Sequence, residues 1–220
     1  MASGVKPSYW DEARAQLSRA DPAMGAIIEA CGAAHLVSRD DPFQTLARSI
    51  VGQQISLAAA QSVWNRFAAA AREITPDRVS RMREPTLRKC GLSQRKVEYL
   101  KDLSRRLRAG EMTPENWPAM DDEAVIGELV QVRGIGRWTA EMFLIFNLMR
   151  PDIYPLDDVG LLRGIAVHYG HPQGCEAPAS LARSREMREH AHNVGERFRP
   201  WRSVATWYLW RSLDPVPVEY

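Results

Sequence analysis

The chain has 220 residues, 45% of them hydrophobic and 25% charged, with a formal net charge of +2. This length fits one large domain or two small ones, and it can bury a core without disulfides or a structural metal. No window of eighteen apolar residues occurs and the N-terminal "MASGVKPSYWDEARAQL" lacks the apolar centre of a signal peptide, so a cytoplasmic protein with no membrane association is expected, while the near-neutral charge neither demands nor forbids nucleic acid.

The predicted elements are helices throughout. "PSYWDEARAQLSRAD" and "PAMGAIIEACG" form an opening pair split at Asp21-Pro22, with Gly32 as the stop. "DPFQTLARSIVGQQIS" starts on Asp41 as N-cap and Pro42 at the first helical position, with Leu46, Ile50 and Val51 at helical spacing. "SLAAAQSVWNRFAAAAR" follows, capped by Ser56, and then short helices around "TPDRVSRM" and "EPTLRKCG". "SQRKVEYLKDLSRRLRAG" is amphipathic, with Val97, Leu100, Leu103 and Leu107 on one face and Gly110 ending it. "TPENWPAMDDEAVIGELVQV" leads into a glycine turn and a strongly apolar helix, and three further helices are expected around 158–169, 179–193 and 200–211, before an irregular tail "DPVPVEY". No segment alternates with a period of two between hairpin turns. The fold class is therefore all-α.

Cys31, Cys90 and Cys175 are odd in number and far apart, against a disulfide framework, a Cys-rich metal site or an iron–sulfur cluster. The "HYGH" and "HAH" runs match no zinc-hydrolase helix. Between Arg183 and Arg202, Arg183, Arg185, Arg188, Arg197, Arg199 and Arg202 outnumber Glu186, Glu189 and Glu196 by six to three, which by itself reads as a solvated helix face before a polyanion site.

One stretch asks for more. In "VRGIGRWTAEMFLIF", Val132–Phe146, Gly134 and Gly136 flank Ile135 directly before a helix. Glycines there permit dihedrals that a Cβ forbids and clear the path of anything approaching. The first amides of the following helix lack intrahelical partners and carry the positive end of its dipole, so a phosphate fits. Ile135 would be the apolar pin between the two helices. The turn is no dinucleotide loop, because no strand precedes it and the third glycine is missing.

This stretch resembles the helix–hairpin–helix motif of the DNA glycosylase superfamily that adds a Gly/Pro-rich loop and an aspartate. "YPLDDVG", Tyr154–Gly160, matches that family's aromatic-Pro-x-x-Asp-x-Gly turn and sets Asp158 at the functional position. "LARSIVGQQISLAAA" resembles the family helix ending in the residue that fills the gap left by a flipped base, and "RPWRSVATWYLW" the C-terminal helix of the DNA-3-methyladenine glycosylase II branch. The resemblance spans roughly residues 35–213; one departure is Arg133, where many relatives have proline.

The resemblance implies a division of labour. Amides of Gly134 and Gly136 with the Thr139 hydroxyl would grip phosphates, and carbonyls of Val130, Val132 and Ile135 could hold a monovalent or divalent cation. No cofactor is required. Gln54, with Gln53 beside it, would plug the vacated space in the duplex. Trp138 and Trp210 would line an aromatic pocket for cationic methylated purines, with Met142 as a soft wall; Trp10, Trp64, Trp117, Trp201 and Trp207 read as core. Asp158 would act at the sugar, while Asp157 would cap the helix beginning near Val159, although the two acids could exchange roles. Relatives that also cleave the backbone carry a lysine two positions after the second hairpin glycine. Trp138 stands there, so base excision without strand cleavage is implied. Two helical lobes would flank an active-site cleft, one running 42–150 and the other combining 1–41 with 151–220 and carrying Asp158. The partner would be double-stranded DNA containing alkylated bases, met by a monomer. The rivals are a glycosylase of the same superfamily for a deaminated or oxidised base, and a hairpin module that binds DNA without chemistry.

Overall fold

The computed structural model describes residues 6–38, 41–173, 181 and 183–213, and among these every regular element is helical. In chain order they are α1 (Trp10–Ala20), α2 (Pro22–Cys31), α3 (Pro42–Gly52), α4 (Leu57–Ala71), α5 (Pro76–Arg81), α6 (Glu84–Lys89), α7 (Gln94–Arg108), a 3₁₀ turn (Pro114–Ala119), α8 (Asp122–Leu129), α9 (Arg137–Phe146), α10 (Val159–Tyr169), α11 (Arg185–Glu196) and α12 (Arg202–Leu213). No helix among the described residues is long and apolar enough to cross a membrane.

The starts are set by side chains that accept orphan amides. Asp21 accepts from Met24 N at 2.9 Å and Asp41 from Gln44 N at 2.8 Å, each followed by proline. Ser56, Ser93 and Asp121 do the same for α4, α7 and α8. Each such cap is worth ~1 kcal/mol. Of the helix expected over 179–193, the described part includes α11, which starts at Arg185, where Ser184 accepts from Met187 N at 3.0 Å. Residues 174–180 and 182, with Cys175, and the tail 214–220 lie outside the described residues.

Contacts divide the chain into two units: a terminal one, holding the residues up to Ser38 and from Leu144 on, and a central one, from Asp41 to Phe143 among the described residues. The division falls inside α9. In the central unit, Leu46 and Ile50 of α3, Phe67 of α4, Leu100 and Leu103 of α7 and Leu129 of α8 are buried, and Trp117 meets Phe143 edge-on at 5.2 Å. In the terminal unit, α12 is buried from Ser203 to Leu209, which explains why its sequence shows no amphipathic stripe. Trp10 of α1 packs edge-on against Trp207 at 5.2 Å.

Candidate active site

The glycine turn is built from α8 outward. Val132 N returns to Leu129 O at 3.1 Å, and Ile135 N to Val132 O at 3.0 Å, so the chain reverses within one tight loop. Val132 and Ile135 are buried and pin the loop, whereas Arg133, Gly134 and Gly136 are exposed. The two glycines serve different ends. Gly134 has φ +83°, and a Cβ there would lie 2.1 Å from the Tyr99 ring. At Gly136 a Cβ would meet nothing within 4 Å. The fold itself demands the first glycine, whereas the second faces open space. Ala140 N bonds Gly136 O at 3.0 Å, so the amides just after Gly136 form the open first turn of α9. Arg137, at its first position, is held by Glu123 at 2.9 Å and Glu141 at 3.0 Å, so this guanidinium is already neutralised.

The turn is also braced from α7 and α3. Asp102 Oδ2 accepts the Arg133 amide at 2.9 Å, and Gln53 Nε2 donates to Gly134 O at 2.8 Å. Burial pushes the Asp102 carboxyl up, but the Arg133 amide and the Arg106 and Arg105 guanidiniums outweigh it and hold it below the ordinary carboxylate value. One turn before Tyr99 on α7, Lys96 Nζ donates to Val51 O at 2.7 Å, fixing the end of α3. Beyond that end, Gln54 is exposed and sits at φ 58°, a left-handed conformation costly for a residue with a Cβ.

In the terminal unit, the segment after α9 is laced to α11 and α12. The Arg202 guanidinium forks onto the Asp152 carboxylate at 2.7 and 2.9 Å, and Ser203 Oγ accepts from Ile153 N at 2.8 Å. Tyr154 donates to Ala191 O at 2.9 Å, its ring lying where a Cβ on Gly195 would be 2.3 Å away. Pro155 O takes the Asp158 amide at 2.9 Å and closes the turn. Asp158, 6% exposed, then uses Oδ1 twice: it accepts Leu161 N at 2.6 Å and the Trp210 indole N–H at 2.7 Å. A Cβ on Gly160 would lie 2.9 Å from Trp210 Cδ1 and 3.0 Å from Asp158 Oδ1, so glycine is what lets the indole reach the carboxylate. Trp210 is half-buried, one face stacked on Phe146 at 5.8 Å and 10°.

Two expectations are corrected. Asp157 does not cap α10; it is exposed and pairs with Arg188 at 2.9 Å, while Asp158 is the cap. The N-cap must directly precede the first helical residue, Val159, and reach the amide three positions on, which only Asp158 does. Met142, expected to wall a pocket, is 3% exposed and belongs to the interior packing of α9. Thr139, meant to offer its hydroxyl outward, is also largely covered at 7% exposure, and Trp138 is half-buried. The arginine excess before Arg202 is mostly paired, Arg197 with Asp21 and Arg199 with Glu196 and Asp152. Sequence reasoning missed Asp102 and Tyr99 beneath the glycine turn, Lys96 at the end of α3 and the second role of Trp210; only Gly160 hinted at the close approach it permits.

The family model described as HhH-GPD superfamily base excision DNA repair protein matches residues 47–188. DNA-3-methyladenine glycosylase 1 of Schizosaccharomyces pombe is 31% identical over 180 residues, 80% of this chain and 74% of that protein. The crystal structure of DNA-3-methyladenine glycosidase from Bacillus halodurans is similar with a TM-score of 0.79 at 29% identity, covering 92% of this chain and 89% of that one. The S. pombe 3-methyladenine DNA glycosylase in complex with abasic DNA gives 0.77 at 29% identity, covering 91% and 96%.

Proposed function

Since the chain belongs to the HhH-GPD superfamily of base excision DNA repair proteins, we propose that it is a DNA glycosylase that releases alkylated purines of the 3-methyladenine and 7-methylguanine type from double-stranded DNA and leaves the abasic strand intact. The observation that carries the reading is the buried Asp158 carboxylate joined to the Trp210 indole at 2.7 Å, on the turn before α10. Capping of α10 would account for the carboxylate alone, but not for the indole held against it.

An enzyme acting on a base must first take it out of the stack. The glycine turn supplies a grip that reads no sequence, because amides meet phosphates and not base edges. The clear space at Gly136 supports this role. Gln54 would be the plug for the duplex; its exposure and left-handed backbone support this reading. Methylation of a purine ring nitrogen leaves the base cationic, and indole faces attract cations by ~0.5–2 kcal/mol each. Trp210, stacked on Phe146, would serve this task, and Trp138 would supply a second indole. As the N-glycosidic bond breaks, positive charge builds on C1′. Asp158 stabilises that charge and orients or activates the attacking water. A cationic base leaves readily, so no strong general acid is needed.

Strand cleavage would need an amine to form a Schiff base. The position two after Gly136 is Trp138, and no lysine follows Lys101. A cation could sit on the main-chain carbonyls of Val130, Val132 and Ile135; Val130 is the C-cap of α8, where the dipole favours positive charge. Its contribution would be to firm the phosphate grip, and the chemistry needs no cofactor. The protein would act as a monomer.

The test is release of free base from a duplex methylated at purine nitrogens. Free 3-methyladenine with an uncut abasic strand, and no covalent protein–DNA adduct under borohydride, is the expected result. No release from any methylated duplex sinks the proposal, and a trapped adduct sinks its monofunctional part.

A further inference from the structure

The glycine turn is exposed at Arg133, Gly134 and Gly136, and its two glycines would loosen it. Three groups of the central unit oppose this. Tyr99 lies beneath Gly134, Gln53 bonds the Gly134 carbonyl, and Asp102 accepts the Arg133 amide at 2.9 Å. Tyr99 and Asp102 are three apart on α7 and so share one face. Of the three, Asp102 alone brings charge. Its side chain is only 11% exposed, and it stands 31 residues from Arg133 in sequence, so the bond ties two distant segments. A carboxylate accepting a backbone N–H makes a short, strong bond.

We propose that Asp102 is a positioning residue for phosphate binding: its hydrogen bond to the Arg133 amide holds the turn in the one shape that points the first amides of α9 outward. Asp102 does not touch the nucleic acid. It removes the ordering cost that a loose turn would otherwise meet on binding, which is the general effect of preorganisation. Its other partners, Arg105 and Arg106, lie on α7 itself and do not reach the turn. They keep the carboxylate charged and aimed.

The inference rests on the DNA-binding reading above, so the experiment begins with the unmodified protein and an undamaged duplex. If that protein shows no salt-dependent binding, the functional reading fails before Asp102 is at issue. If it binds, Asp102→Ala and Asp102→Asn are compared with it in three measurements: exchange of the Arg133 amide proton, affinity for undamaged duplex, and single-turnover base release at saturating DNA. Asp102→Ala is expected to speed Arg133 exchange about 10–100-fold, as losing a hydrogen bond to a charged group implies. It should weaken duplex affinity on the order of 10-fold and leave the saturating rate within about 3-fold, since binding alone depends on the turn. Asp102→Asn keeps an acceptor oxygen and should recover most of both losses. Arg106→Met, which loosens the carboxylate but leaves it beside the Arg133 amide, should give smaller losses of the same kind. Faster exchange with unaltered affinity overturns the proposal. So does weakened affinity with unaltered exchange, or a saturating rate that falls in step with affinity. If Asp102→Ala fails to fold, Asp102→Asn carries the same comparison at smaller amplitude.

Discussion

Asp158 has two jobs in the structure, and Asp158→Asn separates them. Its Oδ1 caps α10 through Leu161 N and receives the Trp210 indole. Burial and capping alone would justify an aspartate here, so position by itself does not prove chemistry. Asparagine caps helices about as well as aspartate. With its amide oxygen in the Oδ1 place it keeps these two hydrogen bonds and removes the charge. Stability should therefore change by less than ~1 kcal/mol. Asp158→Ala, by contrast, loses the cap, ~1 kcal/mol, and strands a half-buried indole donor, another ~1–3 kcal/mol. For chemistry the ranking reverses in significance. Removing a positioned acid–base group costs about 10²–10⁴ in rate, or ~2.7–5.4 kcal/mol of transition-state stabilisation. The assay is single-turnover release of 3-methyladenine, run beside thermal unfolding and affinity for undamaged duplex. A slow but stable Asp158→Asn protein with normal affinity is expected. Asp157→Asn is the control, because its exposed pair with Arg188 is worth no more than ~1 kcal/mol and touches neither the cap nor the indole. A stable Asp158→Asn that excises near the wild-type rate would reduce Asp158 to a helix cap.

Three further outcomes follow from the geometry. Gly136→Ala should fold with a stability loss below ~1 kcal/mol yet bind duplex more weakly, with a salt slope flatter by about 0.9 per phosphate lost, whereas Gly134→Ala should be destabilised outright by its +83° φ and the Tyr99 ring; equal melting temperatures would contradict this. Gly160→Ala should push Trp210 off Asp158 and slow excision about 10-fold or more, the worth of a charge-assisted hydrogen bond, and a crystal structure with the 2.7 Å contact intact would refute it. Trp210→Leu should slow release of cationic 3-methyladenine more than of neutral hypoxanthine, and equal losses in the two assays would mean that the indole acts by shape.

The helices and their starts were readable because capping is local: Asp41-Pro42 and Ser56 announce α3 and α4 within four residues of sequence. The all-α class followed from the same signals. Adjacent acids were harder. Asp157 and Asp158 share chemistry and neighbourhood, and assigning one to the cap and the other to the sugar overlooked that a single carboxylate oxygen can accept two donors. Helical spacing placed Trp138 and Met142 on neighbouring turns of α9, but periodicity says which residues share a face and not what that face meets. Met142 meets the interior. The bonds from Gln53 to Gly134, Lys96 to Val51 and Asp102 to Arg133 join residues 81, 45 and 31 apart and leave no local pattern to read. Glycine gave partial notice: Gly160, the last residue of the motif turn, stands where the indole comes close.

The segment from Pro151 to Asp158 is fastened at both ends to one rigid rod. Ser203, near the start of α12, holds it at Pro151 and Ile153, and Trp210, seven residues on, holds it at Asp158. Seven helical residues rise ~10.5 Å, and buried α12 has no room to slide. The rod therefore works as a gauge for the loop. Side chains between the two fastenings can vary in kind, but their number is fixed, because one residue more or fewer would carry the carboxylate past the indole that meets it. Among homologous enzymes this predicts a stretch diverse in letters and constant in length, the reverse of what exposed loops usually allow.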